Sequence, residues 1–192
     1  MTTNASKQYN GIILLTGYLQ RLYVMEEVLV KVGEPSSSER FHKVKDYLDQ
    51  IYAIIPVFEE TKSLTTEQMQ LLKSITGHTE ELMSTYFRQL PMSFNQKLAI
   101  VGSSLFAEQQ VNAGIIRLGE VFNEEVNRDF HQRVKFYQDR TKIINYLVHV
   151  LHKKEQPEEQ MLKPIEMWFN DVMRNKEHIL NDMKHIGTMI GF

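Results

Sequence analysis

The stretch FNQKLAIVGSSLFAEQQVNAGIIRLGEVFNEEVNRDFHQRVKFYQDRTKIINYLVHVL, residues 94–151, decides the fold. Its apolar stripe runs through Phe94, Leu98, Val101, Leu105, Val111, Ile115, Leu118, Phe122, Val126, Phe130, Val134, Tyr137, Ile144, Val148 and Leu151. The steps are built from threes and fours, the spacing that keeps side chains on one face of a helix. No proline interrupts it. The spacing predicts one very long helix at about 94–153, about 60 residues and roughly 90 Å at 1.5 Å per residue. A compact chain of this length is only roughly 40 Å across, so the molecule is expected to be elongated or the helix to bend. Gly114, Gly119, Asn123 and Asn127 lower helix propensity, and a break around Gly114 to Asn123 would give six helices of similar length; because the stripe keeps its phase there, continuity is the preferred reading.

The other segments also read as helices. The first is expected from about Gln8 to the Gly33-Glu34-Pro35 stop. Between Gly11 and Val32, 14 of 22 residues are apolar, far more than the single stripe a peripheral helix needs. That excess fits a central helix, or one with a core face and an interface face; the second reading is preferred. Ser36, Ser37 and Ser38 offer a cap for a second helix through Phe41, Val44, Leu48, Ile51, Ile55 and Phe58, which Pro56 should kink or end early. Thr65 with Gln68, and Ser93 with Gln96, have capping-box spacing. They open a third helix, stopped at Pro91, and the long stripe. After the connector at residues 154–158 a final helix of near 30 residues runs through Met161, Ile165, Trp168, Val172, Ile179, Met183 and Ile186, ending at Gly187. Short connectors imply antiparallel neighbours. The expectation is an all-α, coiled-coil-like antiparallel bundle of five to six helices, one domain over residues 1–192 with a subdivision point near 91–93.

Composition narrows the function classes. The net charge is −2, and residues 126–192 carry 11 Lys and Arg against 9 Asp and Glu, too small a surplus for a nucleic-acid partner. Cysteine is absent, which removes disulfides, thiolate zinc sites and cysteine nucleophiles. No run approaches 18 apolar residues and the amino terminus lacks secretion-signal organisation, so the expected location is cytoplasmic. Gly114 and Gly119 lie within helical pattern and form no phosphate loop, and hydrolase and kinase signatures are missing. No cofactor is expected.

Two groupings have metal-ligand residue types. Glu39, His42 and Asp46 share one helical edge. Folding residues 126–153 back on 158–190 pairs positions whose numbers sum to about 311. That would bring Asp129, His131, His178, Asp182 and His185 to one level, in types a divalent transition metal or a pH switch uses. Arg133 enters the same region and opposes a cation there; salt links are the plainer reading. Five Glu-Glu pairs diverge by about 100° on a helix and read as solubility charges.

The segment from Phe130 to Gln138, then Leu151-His152-Lys153-Lys154-Glu155, then Glu166-Met167-Trp168, resembles the helix-turn-helix part of BAR domains of the sorting-nexin type. That resemblance implies three very long helices and an anionic-lipid face of Arg133, Lys135, Arg140, Lys142, Lys153 and Lys154. The preferred expectation is different: a non-enzymatic helical scaffold or regulator, a homodimer acting through protein contacts. Its contact residues are expected to be Leu14, Leu15, Tyr18, Leu22 and the apolar tail residue Phe192, which either staples back onto the bundle or docks on a second chain. A BAR-like membrane-surface module and a metal-dependent bundle enzyme are the alternatives.

Overall fold

The structure is a computed structural model and describes residues 4–35, 38–88 and 92–192; Ser36, Ser37 and Pro91, assigned above to a cap and a stop, lie outside them. Among the described residues the chain forms seven α-helices and no strand: α1 (Asn4–Lys31), α2 (Ser38–Thr61), α3 (Thr66–Phe87), α4 (Phe94–Phe122), α5 (Asp129–His152), α6 (Glu159–Arg174) and α7 (Lys176–Ile190). None is long and apolar enough to cross a membrane.

Helix α1 is central because it is apolar nearly all round. It packs against α2, α3, α4, α5 and α7. Ile12, Leu15, Leu19 and Leu22 are 0 % exposed, and each such side chain contributes about 1.5–3 kcal/mol on burial. The pairing with α4 is antiparallel and very close. A Cβ on Gly17 would stand 2.3 Å from Val111 Cγ2, and one on Gly114 would stand 2.7 Å from Ile13 Cγ2. Each helix therefore sets a β-branched knob on the other's glycine.

Both expected capping boxes form. Thr65 accepts from the Gln68 amide at 3.2 Å while the Gln68 side chain accepts from the Thr65 amide at 2.9 Å. Ser93 and Gln96 repeat the arrangement at the start of α4. Helix α2 does not end at Pro56; it continues to Thr61, with the proline on its exposed side.

Two expectations fail. The long helix at 94–153 is two helices, because Asn123 adopts the left-handed conformation at φ 51° and closes α4. The amides of Asn123 and Glu124 both bond to the Gly119 carbonyl, the latter at 2.9 Å, in the manner of a helix-ending left-handed cap. Gly119 makes the reversal feasible: a Cβ there would lie 2.0 Å from Val126 Cγ2. The chain folds back so that α5 lies antiparallel on α4, with Ile144 over Gly102. A roughly 90 Å element is thereby replaced by two of about 36–44 Å, and the elongation argued from a continuous helix falls with it. The final helix is also divided, at Asn175 (φ −92°, ψ 0°), giving seven helices rather than five to six. Past that point α7 leaves the line of α6 and packs on α1 and α3. It runs to Ile190, beyond the expected end at Gly187, and Gly191 (φ 109°) closes it.

Candidate functional site

The helices around α1 do not close on every side. Between α2 and α5 a groove of about 500 Å³ remains, floored by α1 and α4. Leu48 and Tyr52 form one wall, Ile144 and Val148 the other, and Val24 and Phe106 lie in the floor. Tyr52 is 45 % exposed and its hydroxyl accepts from Gln20 Nε2 at 2.7 Å. Charges of both signs stand along the groove: Glu27 pairs with Lys31 at 2.9 Å, and Lys45 and Asp49 follow one another by a turn on α2. An apolar floor between charged rims suits the apolar face of another protein element.

A second recess lies among α4, α5, α6 and α7, about 340 Å³, with Arg21 of α1 against it. Arg21 also borders an adjoining recess of about 190 Å³ lined by Leu14, Gly17 and Val111. The Arg21 side chain is enclosed, the residue being 5 % exposed, and its Nε and Nη1 have no hydrogen-bond partner. Its nearest carboxylate oxygen is Glu108 Oε1, 3.9 Å from Nη2. The guanidinium stands 5.8 Å from the Tyr18 ring centroid. Burial pulls the Arg21 pKa below its ordinary value, with Glu108 opposing that shift. Burial likewise pushes the Tyr18 hydroxyl up to about 12; the hydroxyl donates to the Ile179 carbonyl at 3.3 Å. Trp168, which lines the same recess, is 7 % exposed, and its Nε1–H is buried without an acceptor. Arg140 lies between the Phe136 ring at 3.9 Å and the Trp168 ring at 4.9 Å.

A third arrangement is structural. Tyr9 of α1 donates to Glu59 of α2, which also accepts from Arg117 of α4 at 3.1 and 3.3 Å. The Arg117 hydrogen bond, helped by Tyr9, holds the Glu59 carboxyl below its ordinary range against the opposing effect of burial. Burial, then the Glu59 contact, raises the Tyr9 pKa.

The sequence candidates are distributed among these features. Leu15 and Leu22 are fully enclosed by the chain's own helices, so a second chain does not reach them in this fold. Leu14 and Tyr18 are half-buried at the recess beside Arg21. Phe192 turns back, its amide bonded to the Gly187 carbonyl and its ring over Gly187; the tail staples onto the bundle. The five-residue metal grouping is not assembled. No set of three or more His, Asp or Glu among the described residues is placed to hold a metal, and that includes Glu39, His42 and Asp46. The cause is the turn at Asn175: it carries His178 and Asp182 to the Arg21 recess, while Asp129 and His131 stay exposed at the start of α5. His185 is exposed and bonds the Asn181 carbonyl at 2.8 Å.

The basic residues of α5 do not share a face. At 100° per residue Arg133 and Arg140 lie on one side of the helix and Lys135 and Lys142 on the other. Arg133 stands over Phe130 at 5.5 Å, Lys142 pairs with Asp139 at 2.7 Å, and Lys153 and Lys154 are exposed in the turn that follows α5. The three very long helices implied by the BAR resemblance are absent among the described residues, where the longest helix has 29 residues.

Arg21 itself escaped the sequence reading. It is the sole basic residue between Lys7 and Lys31 in a strongly apolar helix, and that isolation was the available signal.

No family model, curated protein or solved structure matches the chain.

Proposed function

We propose that this chain is a non-enzymatic helical regulator or scaffold that acts by contact, and that its contact surface is the groove between α2 and α5, occupied by a second copy of the chain. The observation that carries this reading is the opening beside α1, which leaves Val24, Phe106 and Tyr52 reachable between charged rims. The rims favour self-pairing. Glu27 with Lys31, and Lys45 with Asp49, place both signs along one patch, and a patch with both signs can complement itself across a two-fold axis. A stable dimer of standard size covers about 800 Å² on each partner, so the flanking surfaces of α2 and α5 take part as well. Several histidines already serve the fold: His42, His152 and His185 each bond a backbone carbonyl, at 2.6, 3.0 and 2.8 Å.

Side-chain oxidative footprinting across a dilution series tests the surface. Tyr52 and Phe106 are expected to lose reactivity as concentration rises, while Met167, exposed on α6, keeps its own. Asn145→Arg, an exposed groove-wall change, should restore the dilute pattern. Protection confined to other residues, or none at any concentration, would refute the reading.

A further inference from the structure

The recess beside Arg21 shares no lining residue with the groove and poses a separate physical problem. A guanidinium that is 5 % exposed, with two nitrogens unpartnered and its closest carboxylate oxygen 3.9 Å away, is an expensive group to bury. Glu108 offsets little of that cost, since its side chain is 47 % exposed and solvent weakens the attraction. A hydrophobic residue of similar length would fill the same space more cheaply. Trp168 of α6, which lines the same recess, repeats the pattern, with its indole N–H buried and unbonded.

Arginine and tryptophan side chains offer hydrogen-bond donors and no acceptors. The group that satisfies both is an acceptor, and a planar carboxylate fits a guanidinium best. The rest of the recess constrains the remainder of the ligand. Asp171 and Asp182 line it beside Glu108, three carboxylates against the guanidiniums of Arg21 and Arg140, so a zwitterion, whose cationic group meets the surplus carboxylate, is favoured over a multiply charged anion such as phosphate. Leu14 and Val111, in the adjoining recess that shares Arg21, Glu108 and Asp182, form an apolar lining.

We propose that the two recesses beside Arg21 bind a small zwitterion of the α-amino-acid class with an apolar side chain. Its carboxylate is held by Arg21 and Trp168, its ammonium group faces Asp171 and Asp182, and its side chain lies along Leu14 and Val111. Small rearrangements of Arg21 and Trp168 accompany binding, since the unpartnered nitrogens are covered in the present structure.

Calorimetric titration of the intact protein with L-leucine tests this, with acetate, N-acetyl-L-leucine, L-leucinamide and inorganic phosphate as separate arms. Leucine is expected to bind at least about tenfold tighter than either compound that keeps only one of its charges, as befits the loss of one charge-assisted hydrogen-bonding group. Arg21→Met should abolish binding. Because that variant alters the core, the exposed change Asp182→Asn provides a second reading: it should weaken leucine at least about threefold, while N-acetyl-L-leucine, which has no ammonium group and is repelled by Asp182, should not be weakened. No heat or shift with leucine on folded protein would overturn the proposal. So would equal affinity for phosphate or acetate, or leucine binding that survives Arg21→Met.

Discussion

Replacing Gly17 by alanine sets two known effects against each other. In the middle of α1 an alanine gains about 1 kcal/mol of helix propensity over glycine. Its methyl group, however, would stand 2.3 Å from Val111 Cγ2 and 3.9 Å from the Ala107 carbonyl oxygen. Valine in a helix is held near one rotamer, so Val111 yields by shifting α4 rather than by turning away. Overpacking of this kind costs about 1–3 kcal/mol, and the balance is a net loss of about 1 kcal/mol. For a chain of this length that lowers Tm by about 2–4 °C. The informative step is the cycle with Val111→Ala, which removes the obstructing methyls. In that background Gly17→Ala should stabilise by about 1 kcal/mol, because propensity alone remains. Urea unfolding of the four proteins reads the coupling directly. A Gly17→Ala protein more stable than the parent, with no coupling to Val111→Ala, would show that α1 and α4 are not this close and would undo the account of the core.

Other perturbations bear on separate parts of the structure. Asn123→Gly should leave stability unchanged or raise it by up to about 1 kcal/mol, and Asn123→Val should lower it by about 1–2 kcal/mol, because the position is left-handed; a helix running through residue 123 would reverse that order in thermal unfolding. Thr65→Ala removes the α3 cap and should cost about 1 kcal/mol in urea unfolding. Glu59 has a folded pKa held below its unfolded value, so its contribution is present above the unfolded pKa and lost as pH falls through the folded one. The Tm deficit of Glu59→Gln should therefore be full at neutral pH and vanish in acid, and a deficit independent of pH would contradict the Arg117 pairing. Arg21→Met in the absence of ligand should keep or raise Tm, since it removes a buried, poorly paired charge.

Where the sequence was readable, the cause was local. Thr65 with Gln68, and Ser93 with Gln96, marked helix starts because a capping box depends on residues within one turn. The excess of apolar residues in α1 was legible too, although the choice between burial and interface was not: Leu15 and Leu22 look the same in either case. A break between Gly114 and Asn123 was legible as an alternative but not as the preferred one, because an apolar stripe keeps its phase through a reversal when Val126 folds back over Gly119. Gly114, Gly119, Asn123 and Asn127 lowered helix propensity there, yet the decisive term was non-local, the burial of Ile144 and Leu147 against α4 and α1. The turn at Asn175 had no comparable marker. It sent α7 toward α1 and α3, and so dissolved the histidine–aspartate grouping while delivering His178 and Asp182 to Arg21. The residues of that recess come from five helices, and no single segment announces it.

Sedimentation equilibrium on the unmodified protein tests the proposed self-contact most directly. The expected mass is twice 22.6 kDa at high concentration, returning to a single chain in the Asn145→Arg protein. A mass of 22.6 kDa at every concentration would contradict it.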